Sequence, residues 1–222
     1  MMKKIFKSIF GKEDKNDLKN KFTEIHDKNL FFGKESISGT GSDLLQTEAI
    51  SKEIPKLLEK YNVKTFIDAP CGDLYWMKHV NLGSIKYIGL DIVDELVQKN
   101  TLNHAGENKN FMCKNIVTDL LPKADMILIR DCWVHLSNSD VIKCIMNLKS
   151  SGITYLLTTS FTEMKLNEDL LKIWRPLNLQ LSPFNFPQPL EVIDEKCTEN
   201  NGRFKDKCLI LWEINTLPDF SN

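Results

Sequence analysis

Short apolar runs separated by polar turns recur along this chain, and their spacing predicts alternating strands and helices. Buried strands are predicted over T-F-I-D, Y-I-G-L-D, F-M-C-K-N-I, Met126 to Ile129, Y-L-L-T-T-S-F, Leu190 to Ile193 and Cys208 to Ile214. Helices are predicted from about Asp43, over Leu74 to Val80, over D-E-L-V-Q-K-N, and over the segment with Val141, Ile142, Ile145 and Leu148. Such an alternation is typical of an α/β protein.

Three sequence signals indicate where helices begin or are interrupted. Ser42 is the expected N-cap of the helix that starts near Asp43, and Ser137 with Asp140 three residues later forms a capping signature. Pro55 is expected to kink or restart the first of these helices, because proline lacks a backbone donor.

The unit T-F-I-D-A-P-C-G-D-L, followed by Y-I-G-L-D, carries the strongest functional signal. Its first strand stops at an acidic turn with Asp68 and Gly72, and its second strand ends on Asp91. Nucleotide-binding βαβ units place the carboxylate that bonds ribose hydroxyls roughly 20 residues past the turn, as Asp91 is here. The spacing predicts a site for a nucleoside-containing cofactor. The plainer alternative is that Asp68 caps the following helix and Gly72 only shapes a turn.

The charges of the turn distinguish between cofactors. A dinucleotide brings its pyrophosphate against backbone N–H groups, and the carboxylates of Asp68 and Asp73 would repel it. Pro70 also stands where the first glycine of the dinucleotide motif would be. A ligand with a sulfonium and an ammonium group suits these carboxylates, so the turn favours S-adenosylmethionine over NAD or FAD.

The unit resembles class I S-adenosylmethionine-dependent methyltransferases, and more narrowly a bacterial group with an Asp-x-Pro-Cys-Gly-Asp turn followed by Trp-Met. The matching residues are Asp68, Pro70, Cys71, Gly72, Asp73, Trp76 and Met77. Further shared segments are E-S-I-S-G-T-G-S, R-D-C-W-V-H-L-S and W-R-P-L-N-L, so the resemblance covers roughly Phe31 to Ile214. Pro70 and Leu74 replace glycines that are frequent in the broader class, which fits the narrower group.

The resemblance implies a Rossmann-like, seven-stranded, mostly parallel sheet with helices on both faces and a closing antiparallel strand. It also implies cofactor contacts along the turn and at Asp91, and an N-terminal segment over the cofactor. The predicted cofactor residues are Asp68, Pro70, Cys71, Gly72, Asp73, Trp76, Asp91, Ile92, Asn115, Ile116, Arg130, Asp131, Ser38, Gly39 and Ser42. Asn115 and Ile116 are candidates for contacts to the adenine, although a surface Asn at a strand end is equally consistent. An ordinary polar loop is likewise the alternative for residues 38–42.

Arg130 to His135 follow a predicted buried strand and therefore lie at the ligand-binding edge of an open α/β sheet. Methyl transfer to a hydroxyl requires alignment of donor and acceptor and removal of a proton. His135 is the predicted base, and Asp131 is predicted to orient it, accept the proton or contact the cofactor's ammonium group. A histidine in an apolar stretch that is merely hydrogen-bonded in the core is the alternative.

The segment W-R-P-L-N-L-Q-L-S-P-F-N-F-P-Q-P-L is too rich in proline to form a helix. Trp174, Arg175 and Asn178 are predicted substrate contacts, since an Arg fork between such side chains suits an anionic or sugar-like acceptor. The alternative for Arg175 is a surface pair with a nearby acid.

Composition limits the remaining possibilities. The chain has 222 residues, 42% of them hydrophobic, and a formal net charge of −1. One core and one domain over residues 31–222 are expected, with a lid over residues 31–60. Lysines are interspersed with acids, so no basic stripe indicates nucleic acid as a partner. Six cysteines without C-x-x-C pairs indicate reduced, mostly buried thiols, no structural metal and a cytoplasmic location.

The first 30 residues are predicted to lie outside this domain. M-M-K-K-I-F-K-S-I-F is predicted to be a basic amphipathic helix that contacts a membrane surface weakly, covers the domain or docks a partner, and it is too short for a membrane span. Lys12 to Lys21 is predicted to be a linker or a solvated helix.

The sequence therefore predicts an S-adenosylmethionine-dependent methyltransferase of a small polar acceptor. The resembling group implies O-methylation of a sugar, nucleotide-linked or phosphoramidate precursor of surface polysaccharide, as in capsule biosynthesis. A cofactor-binding regulatory or accessory subunit without turnover is the alternative, and an NAD-dependent oxidoreductase is the third possibility.

Overall fold

The computed structural model describes residues 17–220. Seven strands form one sheet in the order β3-β2-β1-β4-β5-β7-β6. They are β1 (Thr65–Asp68), β2 (Lys86–Asp91), β3 (Lys109–Cys113), β4 (Met126–Ile129), β5 (Tyr155–Phe161), β6 (Glu191–Asp194) and β7 (Lys207–Glu213). Strands β1 to β5 pair in parallel, and β7 runs antiparallel between β5 and β6. The predicted Rossmann-like, mostly parallel sheet with an antiparallel closing strand is confirmed.

Five helices accompany the sheet in the described residues. They are α1 (Asp17–Asp27), α2 (Leu44–Lys60), α3 (Asp94–His104), α4 (Asn138–Ser151) and the short α5 (Glu199–Gly202). Single 3-10 turns occur at Thr40–Ser42, Met77–His79, Trp133–His135 and Ile214–Thr216. No helix between residues 17 and 220 is long and apolar enough to cross a bilayer.

The continuous apolar runs of the central strands are explained by two cores, one on each face of the sheet. In β4, Met126 and Leu128 belong to one core and Ile127 and Ile129 to the other. Successive side chains of a strand point to opposite faces, so a strand covered on both faces must be apolar at every position. Helix α4 packs into the core of Ile127, and α2 packs into the core of Met126.

The predicted helix over Leu74 to Val80 is wrong. The chain makes only the single turn Met77–His79 there. Leu74 has a φ of 59°, a left-handed conformation that an α-helix does not contain. The apolar spacing instead reflects burial of Leu74, Met77 and Val80 in the core of Met126.

The signals at helix ends have different outcomes. Ser137 caps α4 as predicted, with its Oγ accepting from the Asp140 N–H at 3.1 Å. Ser42 does not cap α2, because it lies in the preceding 3-10 turn and Asp43 takes the N-cap position. Pro55 does not restart the helix, which continues to Lys60. Burial of Ile54 and Leu57 on the sheet offsets the cost of the lost hydrogen bond.

Part of the N-terminal region predicted as a linker is structured. Residues 1–16, with the amphipathic segment, lie outside the described residues. From Asp17 the chain forms α1, in which Lys21 is buried and donates to the His135 carbonyl at 2.9 Å. Leu18 and Phe22 pack against the core of Ile127. The prediction of a linker or solvated helix up to Lys21 is therefore wrong where the chain is described, because one face of α1 is covered.

Candidate functional site

A cleft lies at the carboxyl ends of β1, β2 and β4, where open α/β sheets bind ligands. It encloses about 1160 Å³ of atom-free space, part of it open to solvent. Fourteen of the fifteen predicted cofactor residues line it: Ser38, Ser42, Asp68, Pro70, Cys71, Gly72, Asp73, Trp76, Asp91, Ile92, Asn115, Ile116, Arg130 and Asp131. The fifteenth, Gly39, lines a neighbouring cavity, called the second cavity below.

Gly72 and Asp91 join the first two strands across the floor of the cleft. The Gly72 N–H donates to Asp91 Oδ2 at 3.0 Å, and the Val93 N–H donates to Asp91 Oδ1 at 3.0 Å. Gly72 has a φ of 53°, and a Cβ there would lie 2.2 Å from Ser38 Oγ. Glycine therefore suits this position, because a larger residue would be strained at this φ and would displace the Ser38 hydroxyl. Each Asp91 oxygen keeps a further lone pair for a ligand hydroxyl.

Asp68 is a second buried carboxyl group beside Asp91. The Tyr87 hydroxyl donates to its Oδ2 at 2.7 Å. Burial raises the pKa of Asp68 to about 7, although the Tyr87 hydrogen bond and Arg130 act in the opposite direction. Burial also raises the pKa of Asp91, against its backbone hydrogen bonds. A cation bound in the cleft would favour the ionised form of both groups.

Asp73 lines the cleft and also accepts several hydrogen bonds from within the protein. It accepts hydrogen bonds from Ser36 Oγ at 2.8 Å, the Ile37 N–H at 3.0 Å and the Tyr75 N–H at 3.2 Å. Asp73 thus fastens the segment between α1 and α2, called the N-terminal segment, to the turn that follows β1 (residues 69–76), called the cofactor turn. Its contact with the cofactor stays a prediction, and the structure adds a structural role that the sequence did not indicate.

Arg130 extends from the end of β4 into a buried ion pair. Its Nη2 donates to Glu195 Oε2 at 2.7 Å and to the Gly41 carbonyl at 2.8 Å. Burial alone would lower the pKa of Arg130, but Glu195 and Asp131 raise it. The guanidinium carbon lies 5.5 Å from the centre of the Trp76 ring. The residue fixes three parts of the chain around the cleft.

Asp131 sits where the cleft meets the second cavity, and its backbone has a φ of 51°. Its N–H donates to Thr159 Oγ1 at 2.9 Å, and its Oδ2 lies 2.6 Å from Lys207 Nζ. Burial would raise the pKa of Asp131, but Lys207 and Arg130 hold it below its usual value. As an ionised and paired group, Asp131 is a weak base.

His135 also borders both cavities, where its ring lies 4.6 Å from that of Phe31. Burial lowers the pKa of His135 to about 4, against a hydrogen bond to the Ile173 carbonyl that raises it. The imidazole is therefore neutral at physiological pH. Because a carbonyl only accepts, Nδ1 must carry the proton, and Nε2 is left as an acceptor.

The second cavity lies beside the cleft and has aromatic walls. Its lining includes Phe31, Ser38, Gly39, Thr40, Gly41, Asp131, His135, Phe161, Trp174, Glu199, Asn200, Phe204 and Lys207. Trp174, a predicted substrate contact, is among these residues. The boundary shared with the cleft contains both predicted catalytic residues.

Arg175 and Asn178 are not brought to either cavity. Arg175 is buried and donates to the carbonyls of Glu168, Trp133 and Val134 and to Asn138 Oδ1. The Asn178 side chain donates to the Met164 carbonyl at 3.1 Å and accepts from the Gln180 N–H. Both side chains stabilise the loop between β5 and β6, and their role as substrate contacts stays a prediction. Arg175 Nη2 also lies 4.0 Å from Asp169 Oδ1, so the alternative pair with a nearby acid is present, although the guanidinium is buried.

Two groups of lining residues were missed from sequence. The first is the apolar face of α1, with Leu18, Phe22 and Ile25 in the cleft wall. The spacing of these residues at i, i+4 and i+7 was the available signal. The second is Glu199, Phe204 and Lys207 in the other cavity. No local pattern indicates them, because they approach the site through the pairing of β7 with β5.

Within residues 17–220, one group of side chains has ligand atoms close enough together to hold a metal ion. Ligand atoms of His26, Asp27 and Glu95 lie within 4.8 Å of one another. Asp27 and Glu95 are exposed, and exposed acidic groups are common without an ion. Asn115 and Ile116 follow β3 and line the cleft, and the Asn115 Oδ1 accepts from the Val117 N–H at 2.9 Å.

Comparisons with known proteins locate this architecture among methyltransferases. The magnesium protoporphyrin IX methyltransferase of Synechocystis PCC 6803 with bound SAH superposes with a TM-score of 0.60 at 11% identity, covering 90% of this chain and 99% of that chain. The same enzyme with bound SAM gives 0.55 at 13% identity, covering 92% and 98%. The chain has a methyltransferase fold.

A methyltransferase solved with its acceptor is similar as well. The 1,6-didemethyltoxoflavin-N1-methyltransferase of Burkholderia thailandensis, with bound 1,6-didemethyltoxoflavin and S-adenosylhomocysteine, gives a TM-score of 0.55 at 13% identity, covering 88% of this chain and 86% of that chain. No protein-family model matches the sequence, and no curated protein matches it significantly. At these identities the methyltransferase fold is shared, and the acceptors are properties of those proteins.

Proposed function

We propose that this protein is an S-adenosylmethionine-dependent methyltransferase that acts on a small polar acceptor. The observation that carries the proposal is the pair of buried carboxyl groups, Asp68 and Asp91, at adjacent strand ends beside the left-handed Gly72 turn. Two buried acids suit a ligand with ribose hydroxyls and positive charge. The similar structures were solved with SAM or SAH, which supports the same choice.

Different residues of the cleft would contact different parts of the cofactor. Asp91 would accept from the ribose hydroxyls, while Ile92 and Ile116 would flank the base. Asp68 would face the positively charged end of the cofactor, because a nearby cation lowers the pKa of Asp68 and favours its ionised form. When bound, S-adenosylmethionine supplies an activated methyl group on a sulfonium.

The boundary between the two cavities would hold the acceptor. His135 Nε2 is an unused acceptor of hydrogen bonds there, so it would orient an acceptor hydroxyl and receive its proton. Asp131, paired with Lys207, would position neighbouring groups. Because His135 is a weak base with a pKa of about 4, alignment would contribute more than proton abstraction to the rate.

The finer assignment follows from the resemblance of the cofactor turn and of R-D-C-W-V-H-L-S to the bacterial group. We extend the proposal to cytoplasmic O-methylation of a sugar, nucleotide-linked or phosphoramidate precursor of surface polysaccharide. The carboxyl group of Asp68 argues against NAD, because the pyrophosphate of a dinucleotide would lie at the turn that follows β1.

Calorimetry with S-adenosylmethionine, S-adenosylhomocysteine and NAD tests the cofactor. Binding of the two adenosyl ligands and no binding of NAD is expected, and the opposite result would refute the proposal. Turnover is then tested with a labelled methyl donor and a pool of small polar acceptors. Adenosyl-ligand binding without any turnover would support the accessory-subunit alternative.

Asp91→Asn is the sharpest variant for this site. The amide keeps an oxygen for a backbone donor but loses the charge that strengthens the ribose bonds. We expect S-adenosylhomocysteine affinity to fall by about 1.5–3 kcal/mol. Asp125→Asn, at the opposite end of β1, is the matched control and should leave the affinity unchanged. Equal affinity in Asp91→Asn and wild type would remove the ribose assignment.

A further inference from the structure

We propose that the second cavity binds the acceptor as an uncharged ring compound with hydroxyl groups, and that Glu199, Trp174 and Phe204 determine this specificity. This inference rests on the proposed function, since it names the acceptor of the same site. It selects the uncharged, sugar-like kind of acceptor and excludes the anionic kinds.

The walls of the cavity favour a ring. Trp174 and Phe204 have ring centres 4.8 Å apart, and Phe161 lies 5.8 Å from each of them, all in edge-on contact. On the side of the cleft, Phe31 and His135 form a second aromatic pair with ring centres 4.6 Å apart. Aromatic side chains on two sides suit a flat or saturated ring, and disfavour a compact, strongly hydrated group such as phosphate.

The charges of the cavity oppose an anion. The side chains of Asp131 and Glu199 are 26% and 23% exposed, whereas that of Lys207 is 4% exposed. Lys207 Nζ lies 2.6 Å from Asp131, 3.5 Å from Glu195 and 3.8 Å from Glu199. The ammonium group is thus surrounded by carboxylates of the protein, and the more accessible charged groups of the lining are carboxylates.

Other cations are engaged or lie outside the lining. The Arg130 guanidinium is buried against Glu195, and the Arg175 guanidinium bonds backbone carbonyls. The Arg203 guanidinium lies over the Phe204 ring and does not line the cavity. An acceptor with hydroxyl donors would be matched by Asp131 and Glu199, whereas a phosphate or carboxylate would meet like charge.

Glu199 also connects the second cavity to the N-terminal segment. Its Oε1 accepts from Thr40 Oγ1 at 2.7 Å, and a Cβ on Gly41 would lie 3.3 Å from its Oε2. The cavity is therefore closed by the same segment that covers the cleft. Phe31, Ser38, Asp131 and His135 belong to both linings, so a ring between the aromatic walls would have its hydroxyls next to the cleft.

Matched pairs of acceptors test the proposal on the full-length protein saturated with S-adenosylhomocysteine. Each pair joins a neutral ring with its anionic counterpart: a methyl hexoside with its phosphate, and dihydroxybenzene with dihydroxybenzoate. Binding is measured by ligand-observed NMR. Methyl transfer is measured with labelled S-adenosylmethionine in place of S-adenosylhomocysteine. We expect the neutral member to bind about tenfold more tightly in at least one pair. The sugar and benzene pairs distinguish a saturated ring from a planar one.

Two variants separate charge from shape. Glu199→Gln is expected to remove most of the preference against the anionic member, and Trp174→Leu to weaken the neutral member about tenfold. Glu107→Gln, an exposed carboxylate elsewhere, is the control and should change neither. All variants should bind S-adenosylhomocysteine as wild type does, which keeps failure of this inference distinguishable from failure of the proposed function.

A preference for the anionic member would overturn the inference, as would the absence of binding by every pair to protein that binds S-adenosylhomocysteine. Unchanged selectivity in Glu199→Gln together with unchanged affinity in Trp174→Leu would also overturn it.

Discussion

At the scale of single residues, the aspartates of the site differ in their neighbours rather than in their chemistry. Asp68 is buried beside a tyrosine hydroxyl, Asp91 accepts two backbone N–H groups, Asp73 holds the N-terminal segment, and Asp131 pairs with Lys207. Burial raises the pKa of Asp68 and Asp91, whereas the cations beside Asp131 lower its pKa. Environment therefore separates acids that can respond to a ligand from acids with structural partners.

Asp68 should give the protein a distinctive dependence of stability on pH. The pKa of Asp68 is about 7 in the folded protein and about 4 in an unfolded chain. Between these values the folded protein holds a proton that the unfolded chain has released. The contribution of Asp68 to the free energy of unfolding therefore falls as pH rises from about 4 to about 7, by up to about 4 kcal/mol, and is constant above.

Comparison with Asp68→Asn isolates this effect. Thermal or denaturant unfolding of the apo proteins should show the variant gaining stability relative to wild type as pH rises through this interval. The difference in free energy of unfolding between wild type and variant is needed because His135 also contributes. With its lowered pKa, His135 makes the free energy of unfolding rise between about pH 4 and 6.5. Tyr87→Phe should shift the Asp68 interval to higher pH, because a hydrogen bond to the carboxylate is lost. A pH-independent difference would contradict the assignment.

His135→Ala should lower turnover with little change in cofactor binding. The variant removes the Nε2 acceptor at the boundary between the cavities, and loss of a positioned proton acceptor costs about 100-fold in rate. Steady-state turnover and S-adenosylhomocysteine calorimetry measure the two effects separately. His104→Ala, on α3 and outside both cavity linings, serves as the control. Full activity of His135→Ala would mean that the base is elsewhere or not required.

At the scale of elements, the segment between α1 and α2 forms a wall of the site by attaching to three other parts of the chain. Ser36 and Ile37 bond Asp73 of the cofactor turn, and the Gly41 carbonyl accepts from Arg130. Thr40 bonds Glu199, and Gln46, in the first turn of α2, bonds Thr198 with its side chain. These polar contacts hold a segment that has little regular structure of its own.

Asp73→Ala should loosen this segment and shorten the residence of an adenosyl ligand. The change removes the acceptor of the Ser36, Ile37 and Tyr75 hydrogen bonds at once. We expect dissociation of S-adenosylhomocysteine to be about tenfold faster, with a smaller change in association. Ser36→Ala removes one of the three bonds and should have a smaller effect in the same direction. Stopped-flow displacement measures both, and an unchanged rate in Asp73→Ala would show that the tether is dispensable.

The elements also show why local patterns succeeded or failed. The strand over Met126 to Ile129 was predictable because both faces of β4 are covered, which requires an unbroken apolar run. The segment Leu74 to Val80 has a similar apolar content, but its left-handed Leu74 makes a turn that hydrophobic spacing does not distinguish from a helix. Arg175 carries the right group for a ligand, yet the backbone carbonyls that occupy it belong to distant segments.

At the scale of the whole molecule, a buried charge cluster joins the two halves of the sheet. Arg130 follows β4, Glu195 follows β6, and Lys207 begins β7, with Asp131 between them. The cofactor turn was predictable from one continuous stretch of sequence. This cluster was not, because it exists only when β7 is inserted between β5 and β6.

Glu195→Ala should therefore destabilise the molecule strongly. Removal of this carboxylate leaves Arg130 and Lys207 buried with less compensation, at a cost of about 3–5 kcal/mol. For a chain of this length the melting temperature should fall by about 10 °C. The paired change Arg130→Met with Glu195→Leu removes both charges and should cost less than Glu195→Ala alone. Differential scanning calorimetry compares them, and equal stability of Glu195→Ala and wild type would contradict a structural role for the cluster.

The single turn Met77–His79 replaces the α-helix expected after β1, and this shortening changes which anions the cleft can hold. A full helix there would direct about half a positive elementary charge and several free N–H groups at the ligand. A diphosphate would therefore lose the dipole of a full helix at the point where Asp68 already repels it. The shortened turn, as well as the side chains, thus favours the positively charged nucleoside that we propose over a dinucleotide.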